Sequence, residues 1–83
     1  MTVPEQSADL QLLCMLHNIG ATAPNKSLSI QQISEWTKIE TSQLHSQLQK
    51  LITLGYVQSL QMEETSKYHL TIDGIRKVLS LYS

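Results

Sequence analysis

The chain contains no phenylalanine and one tryptophan, so any core that its 83 residues build must be mainly aliphatic. A single cysteine, Cys14, excludes an internal disulfide and with it the disulfide-stapled class of small domains. Its Leu-Leu-Cys-Met-Leu setting reads as the buried side of a helix, where an inert thiol is expected; a redox role or an intersubunit disulfide is the alternative. Glycine and proline are scarce, three and two, and each stands alone, so there is no low-complexity linker and no glycine-rich phosphate loop. Charge is scarce too. Charged residues make up 16% of the chain, and six Lys and Arg against seven Asp and Glu leave a formal net charge of -1. That excludes a strongly charged disordered tail and is less basic than a dedicated nucleic-acid binder usually is. No apolar run approaches the ~20 residues that span a bilayer, and the start MTVPEQSADL has neither the basic nor the apolar stretch of an export signal. The expectation is a cytoplasmic chain without a membrane span.

What is present is 41% hydrophobic residues, arranged at helical spacing. A chain this short makes one domain with a modest core, whose stability is expected to be shared with a second subunit. Residues 1–6 read as a flexible N-terminal arm and residues 7–83 as the single domain. Ser7 suits a helix cap, with Asp9 in the first turn. Leu10, Leu13, Cys14, Leu16 and His17 follow at helical spacing, and Leu12 and Met15 widen the apolar face until Gly20 stops the helix. A helix apolar almost all round can fill a core on one side and meet a partner on the other.

Lys26-Ser27-Leu28 reads as a short extended segment, and Ser29 with Gln32 forms a capping box for a second helix whose buried line is Ile30, Ile33 and Trp36. Ile39 then fills the corner of a turn. Thr41 is the expected cap of a third helix over residues 41–54, with Leu44, Leu48, Leu51 and Ile52 buried and Gly55 ending it. Two alternating segments, residues 56–60 and 67–71, predict a hairpin with a six-residue polar tip over residues 61–66. Thr71 caps a last helix whose apolar stripe is Ile72, Ile75, Val78, Leu79 and Tyr82, suited to closing the core or building a dimer.

The fold class that emerges is mainly α with a small β-hairpin, in the order α-β-α-α-β-β-α: a winged helix-turn-helix. Two stretches carry a resemblance to a known group. Residues 33–56 match its pattern of a turn residue at Ile39 followed by Leu44, Leu48, Leu51, Gly55 and Tyr56, and Tyr68-His69-Leu70-Thr71-Ile72-Asp73-Gly74 matches the Tyr-x-Leu-Thr-x-x-Gly that joins wing to final helix. On these the chain resembles small winged-helix transcriptional regulators of the MarR and PadR types and related archaeal or bacterial proteins. The resemblance implies double-stranded DNA as partner, the third helix as the one that enters the major groove, and a homodimer through the first and last helices.

Under that implication the contact residues are Ser42, Gln43, Ser46, Gln47 and Lys50 on the third helix, with His45 at the margin, Lys38 and Thr41 at the turn, and Lys67 in the wing. Gln pairs bidentately with adenine N6 and N7, Ser and Thr reach bases or phosphates, and Lys neutralises phosphate. Lys26 and Thr37 are further phosphate candidates. One departure stands out: the wing tip is Gln-Met-Glu-Glu-Thr-Ser where the group commonly carries Arg or Lys. Two adjacent carboxylates repel phosphate, so the alternative function is a winged-helix adaptor binding a protein at the wing. Catalysis has poor material. His17, His45 and His69 fall on three elements, and the carboxylates show no metal-ligand spacing, so no enzyme, cofactor or metal is expected.

Overall fold

Twelve buried hydrophobic residues, ten of them Leu, Ile or Val, form the centre of the fold among the described residues, as an aliphatic sequence requires. The computed structural model describes residues 8–82. They form α1 (Ala8–Asn18), a 3-10 turn (Pro24–Lys26), β1 (Leu28–Ser29), α2 (Ile30–Thr37), α3 (Thr41–Thr53), β2 (Val57–Met62), β3 (Thr65–Leu70) and α4 (Ile72–Leu81). The expected arm over residues 1–6 and the cap at Ser7 lie outside the described residues. Leu12, Leu13 and Leu16 of α1 meet Ile33 of α2 and Leu44, Leu48 and Leu51 of α3, and Val57, Tyr68, Leu70 and Val78 close the other side. Among the described residues no helix is long and apolar enough to cross a membrane.

The local signals explain most boundaries. The Ser29 hydroxyl accepts the Gln32 N–H at 3.2 Å and the Gln32 side chain accepts the Ser29 N–H at 3.0 Å, so the capping box starts α2. Lys38, at φ 63°, ends it by donating its N–H to the Ser34 carbonyl at 2.8 Å. The Ser34 hydroxyl donates to the Ile39 carbonyl at 2.6 Å and fixes the corner. α3 ends as expected at Gly55, whose φ of 84° suits glycine. Thr71 caps α4 by accepting the Gly74 N–H at 3.0 Å.

Three expectations need correction. Trp36 is 67% exposed and no part of the core. α2 has only eight residues, and the corner packs Ser34, Thr37 and Ile39 inward, which leaves Trp36 outside it. Thr41 is the first residue of α3, while Glu40 occupies the cap position without a side-chain hydrogen bond. The hairpin is longer and its tip shorter than expected. β2 and β3 pair from Val57↔Leu70 to Met62↔Thr65, and only Glu63 and Glu64 turn. The outer half of the ladder is solvated, so no apolar alternation marks it, and the Ser66 hydroxyl donates to the Gln61 side chain at 2.8 Å across the pair. β1 adds to the other edge of β3 through Leu28↔Tyr68, giving a sheet of order β1-β3-β2.

Candidate nucleic-acid interface

α3 divides into two faces. Leu44, Gln47, Leu48 and Leu51 point inward, and Ser42, His45, Ser46, Gln49 and Thr53 form an exposed polar line at i, i+3, i+4, i+7 and i+11. The structure therefore moves Gln47 out of the expected contact set: it is 8% exposed, and its Oε1 has no hydrogen-bond partner. The reason is the helical period itself, because position 47 lies three residues after Leu44 and four before Leu51. Gln49 takes its place on the open face. Continuing the spacing from Ser42 and Ser46 would have found it.

The other expected residues are spread around this line. Thr41, Ser42, Gln43 and Ser46 are exposed on the first half of α3, and Lys38 is exposed in the turn before it. Lys50 sits at the far end, turned toward α1, with its ammonium 4.0 Å from the Asp9 carboxylate. An exposed pair at that distance is weak, so the ammonium stays free to move. The Thr37 hydroxyl is used internally, donating to the Ile33 carbonyl at 2.8 Å and accepting the Ile39 N–H at 3.3 Å, which removes it as a phosphate contact. Lys67 is half-buried on β3.

Lys67 and His45 both line a groove of about 880 Å³ between the first turn of α2 and the wing. Gln31 and Gln32 form its floor on the helix side, and Glu63 and Glu64 stand at its outer end. α3, whose His45 lines this groove, begins with no side-chain hydrogen bond from its cap residue Glu40. The first-turn N–H groups of a helix favour an anion, whereas at the starts of α2 and α4 the Ser29 and Thr71 hydroxyls each accept one first-turn N–H. The site thus offers uncharged hydrogen-bonding groups on a bare helix, a free helix start and the three lysines Lys38, Lys50 and Lys67, with two carboxylates at the wing tip. Among the described residues no group of three His, Cys, Asp or Glu is placed to hold a metal ion.

Comparison with solved structures places this frame among winged-helix proteins. The DNA-binding TubR fragment from Clostridium botulinum superposes with a TM-score of 0.79 at 22% identity, over 98% of this chain and 99% of that one. TubR from Bacillus megaterium gives 0.74 at 16% identity, over 94% and 87%. MarR C80S from E. coli in complex with operator DNA gives 0.77 at 15% identity, over 95% of this chain. This chain spans only 54% of that MarR chain. No protein-family profile and no curated protein sequence matches.

Proposed function

We propose that the chain is a DNA-binding transcriptional regulator that places α3 in the major groove. The observation that carries the reading is the exposed line of Ser42, His45, Ser46 and Gln49, bare on a winged-helix frame and flanked by the wing groove. In this reading Gln43 and Gln49 address adenine edges, Ser42 and Ser46 address bases or phosphates, and the start of α3 at Thr41 holds a phosphate through its N–H groups. Lys38, Lys50 and Lys67 supply the charge, which is thin for one subunit. Gln47 positions α3 from inside.

A homodimer through α1 and α4 doubles those cations and sets two recognition helices about one helical turn apart on the duplex. It is supported by the bare apolar stripe of α4, where Ile72 is 70%, Leu79 55% and Tyr82 64% exposed. The protein has no catalytic role here, and its working place is the cytoplasm. One observation favours a second reading, an adaptor that binds a protein through its wing: the exposed carboxylates of Glu63 and Glu64 at the tip.

Fluorescence anisotropy against pooled random duplexes and the DNA upstream of the chain's own gene, at roughly 50 and 200 mM salt, separates the two. The regulator reading expects binding to the upstream DNA that weakens with salt and falls in the Gln43→Ala, Gln49→Ala double variant. A folded dimer that binds neither DNA at low salt sinks it in favour of the adaptor.

A further inference from the structure

The two edges of the sheet are unequal. β1 pairs with β3 over two residues only and runs straight into the capped start of α2. β2, on the other side of β3, is six residues long, and among the described residues no strand pairs with its outer edge. A row of unpaired backbone N–H and C=O groups is a template for another strand, and proteins that leave such an edge guard it with charges, a proline, a bulge or a covering segment. β2 has none of these. Its sequence, Val-Gln-Ser-Leu-Gln-Met, holds neither charge nor proline. Its register with β3 runs without a bulge from Val57↔Leu70 to Met62↔Thr65, and Gln58, Ser59, Gln61 and Met62 are exposed along it. The charges of the hairpin, Glu63, Glu64 and Lys67, all lie in the turn or on β3.

This edge is complementary to itself. Two copies of one strand pair antiparallel about a two-fold axis perpendicular to the sheet, which keeps each face of the sheet on its own side, so opposed residues belong to the same face. Val57 and Ser59 share the inner face with their partners Leu70 and Tyr68, and Gln58, Leu60 and Met62 share the outer one. A pairing centred on Leu60 sets Leu60 against Leu60 of the second copy, Met62 against Gln58, and Ser59 against Gln61. Leu60 and Met62 of both copies then meet in one apolar cluster, directly and along the diagonal. A pairing centred on Ser59 would set Leu60 against Gln58 and lose that cluster. The antiparallel arrangement also carries the two tips to opposite ends, about 20 Å apart along the ladder, so the Glu63 and Glu64 carboxylates of the two copies do not repel. A charged strand would find no counter-charge on β2, whereas a second neutral β2 needs none.

We infer that β2 pairs with β2 of a second copy, antiparallel and centred on Leu60, joining two three-stranded sheets into one. The contact uses no residue of α3 or α4 and rests neither on the DNA reading nor on the dimer through α1 and α4. A chain that pairs through both β2 and α4 builds a row of copies instead of a closed dimer. Two short strands bury less than a standard interface, so self-association at about 100 µM is expected. Disulfide trapping in the full chain carrying Cys14→Ser reads the register. Leu60→Cys brings two thiols together at a Cα separation of ~4.5–5.5 Å, within disulfide reach, whereas Gln58→Cys holds them ~13 Å apart. In a glutathione redox buffer at about 200 µM protein, Leu60→Cys should cross-link roughly tenfold faster than Gln58→Cys. Leu79→Glu, which opposes a contact through α4, should leave that cross-link in place. In the Leu79→Glu chain, Leu60→Lys opposes two like charges and should weaken self-association about tenfold by sedimentation velocity, while circular dichroism reports that the fold is kept. The inference is overturned if Gln58→Cys cross-links as fast as Leu60→Cys, if neither cross-links, or if Leu60→Lys associates as its parent does.

Discussion

The two ends of the β2–β3 hairpin are built on opposite principles. At its root hydrogen bonds tie the hairpin to the rest of the fold and the backbones touch: the Thr71 hydroxyl donates to the Gly55 carbonyl at 2.6 Å, the Thr71 N–H donates to the Tyr56 carbonyl at 3.0 Å, and the Leu70 N–H donates to the Ala21 carbonyl at 2.8 Å. α4 starts in contact with the turn after α3, because Gly74 lets the Tyr56 carbonyl approach to where a side chain would stand. At the tip, Glu63 and Glu64 are exposed and pack on nothing in the core, and Glu63 adopts a φ of 56° that folding alone would give to glycine. The root holds α3, the sheet and α4 in one frame. The tip is where residue choice is left to something other than stability.

The largest expected break in this contrast is Gly74→Ala. Its Cβ would lie 2.0 Å from the Tyr56 carbonyl oxygen and 2.9 Å from the carbonyl carbon. Both atoms are backbone, so α4 must shift. A destabilisation of about 3 kcal/mol is expected, near the top of the range for overpacking and only partly offset by the better helix propensity of alanine. Urea unfolding followed by circular dichroism measures it, and a loss under about 1 kcal/mol would mean that the root is looser than described. Thr71→Ala comes next. It removes the cap of α4 and the bond to Gly55 together, at about 1–2 kcal/mol, while Thr71→Ser keeps both hydroxyl bonds and most of the stability. Equal losses in the two variants would assign the effect to the threonine methyl group instead.

The same contrast explains what was legible in the sequence. The frame was readable because its signals are local. Ser29 with Gln32, Gly55 after an apolar period, and Thr71 before one each mark a boundary through backbone geometry that any fold must satisfy. Gly74 was visible as part of a motif, but its reason, the Tyr56 carbonyl, comes from a residue 18 positions earlier and only packing reveals it. The candidate interface was half legible. Ser42, Gln43 and Ser46 are exposed as expected, whereas Gln47, expected on the same face, is turned inward because it lies between Leu44 and Leu51 at the spacing of the buried line. Trp36 erred in the opposite direction, a large apolar residue assumed buried and left out by a short helix and its corner. The hairpin tip was misjudged because a solvated ladder has no apolar alternation to read.

A smaller effect, on binding instead of stability, decides what the tip faces. The double variant Glu63→Lys, Glu64→Lys keeps the turn and reverses two charges beside the wing groove. If the wing reaches DNA, affinity for any duplex should rise about tenfold at low salt and the salt dependence should steepen by roughly one to two phosphate contacts. Anisotropy at several salt concentrations reads both. An unchanged slope with the fold intact would mean that the tip points away from the duplex, and the carboxylates would then be free for a protein partner.

The smallest change separates shape from charge at the same place. Glu63 has a positive φ and Glu64 does not, which is the pattern of a two-residue turn that prefers glycine first. A left-handed non-glycine residue costs roughly 1–2 kcal/mol, and glycine returns ~0.4–1 kcal/mol of that through its freer unfolded chain. Glu63→Gly should therefore stabilise the protein by about 0.5 kcal/mol, readable as a higher urea midpoint at unchanged slope. Glu64→Gln, which removes a carboxylate without touching a strained position, should leave the midpoint where it was. If both variants shift it alike, repulsion between the two carboxylates is the source and the backbone is relaxed. If Glu63→Gly alone stabilises, the tip keeps a carboxylate against the preference of its own turn, and strain held at an exposed position of this kind is a mark of use and not of folding.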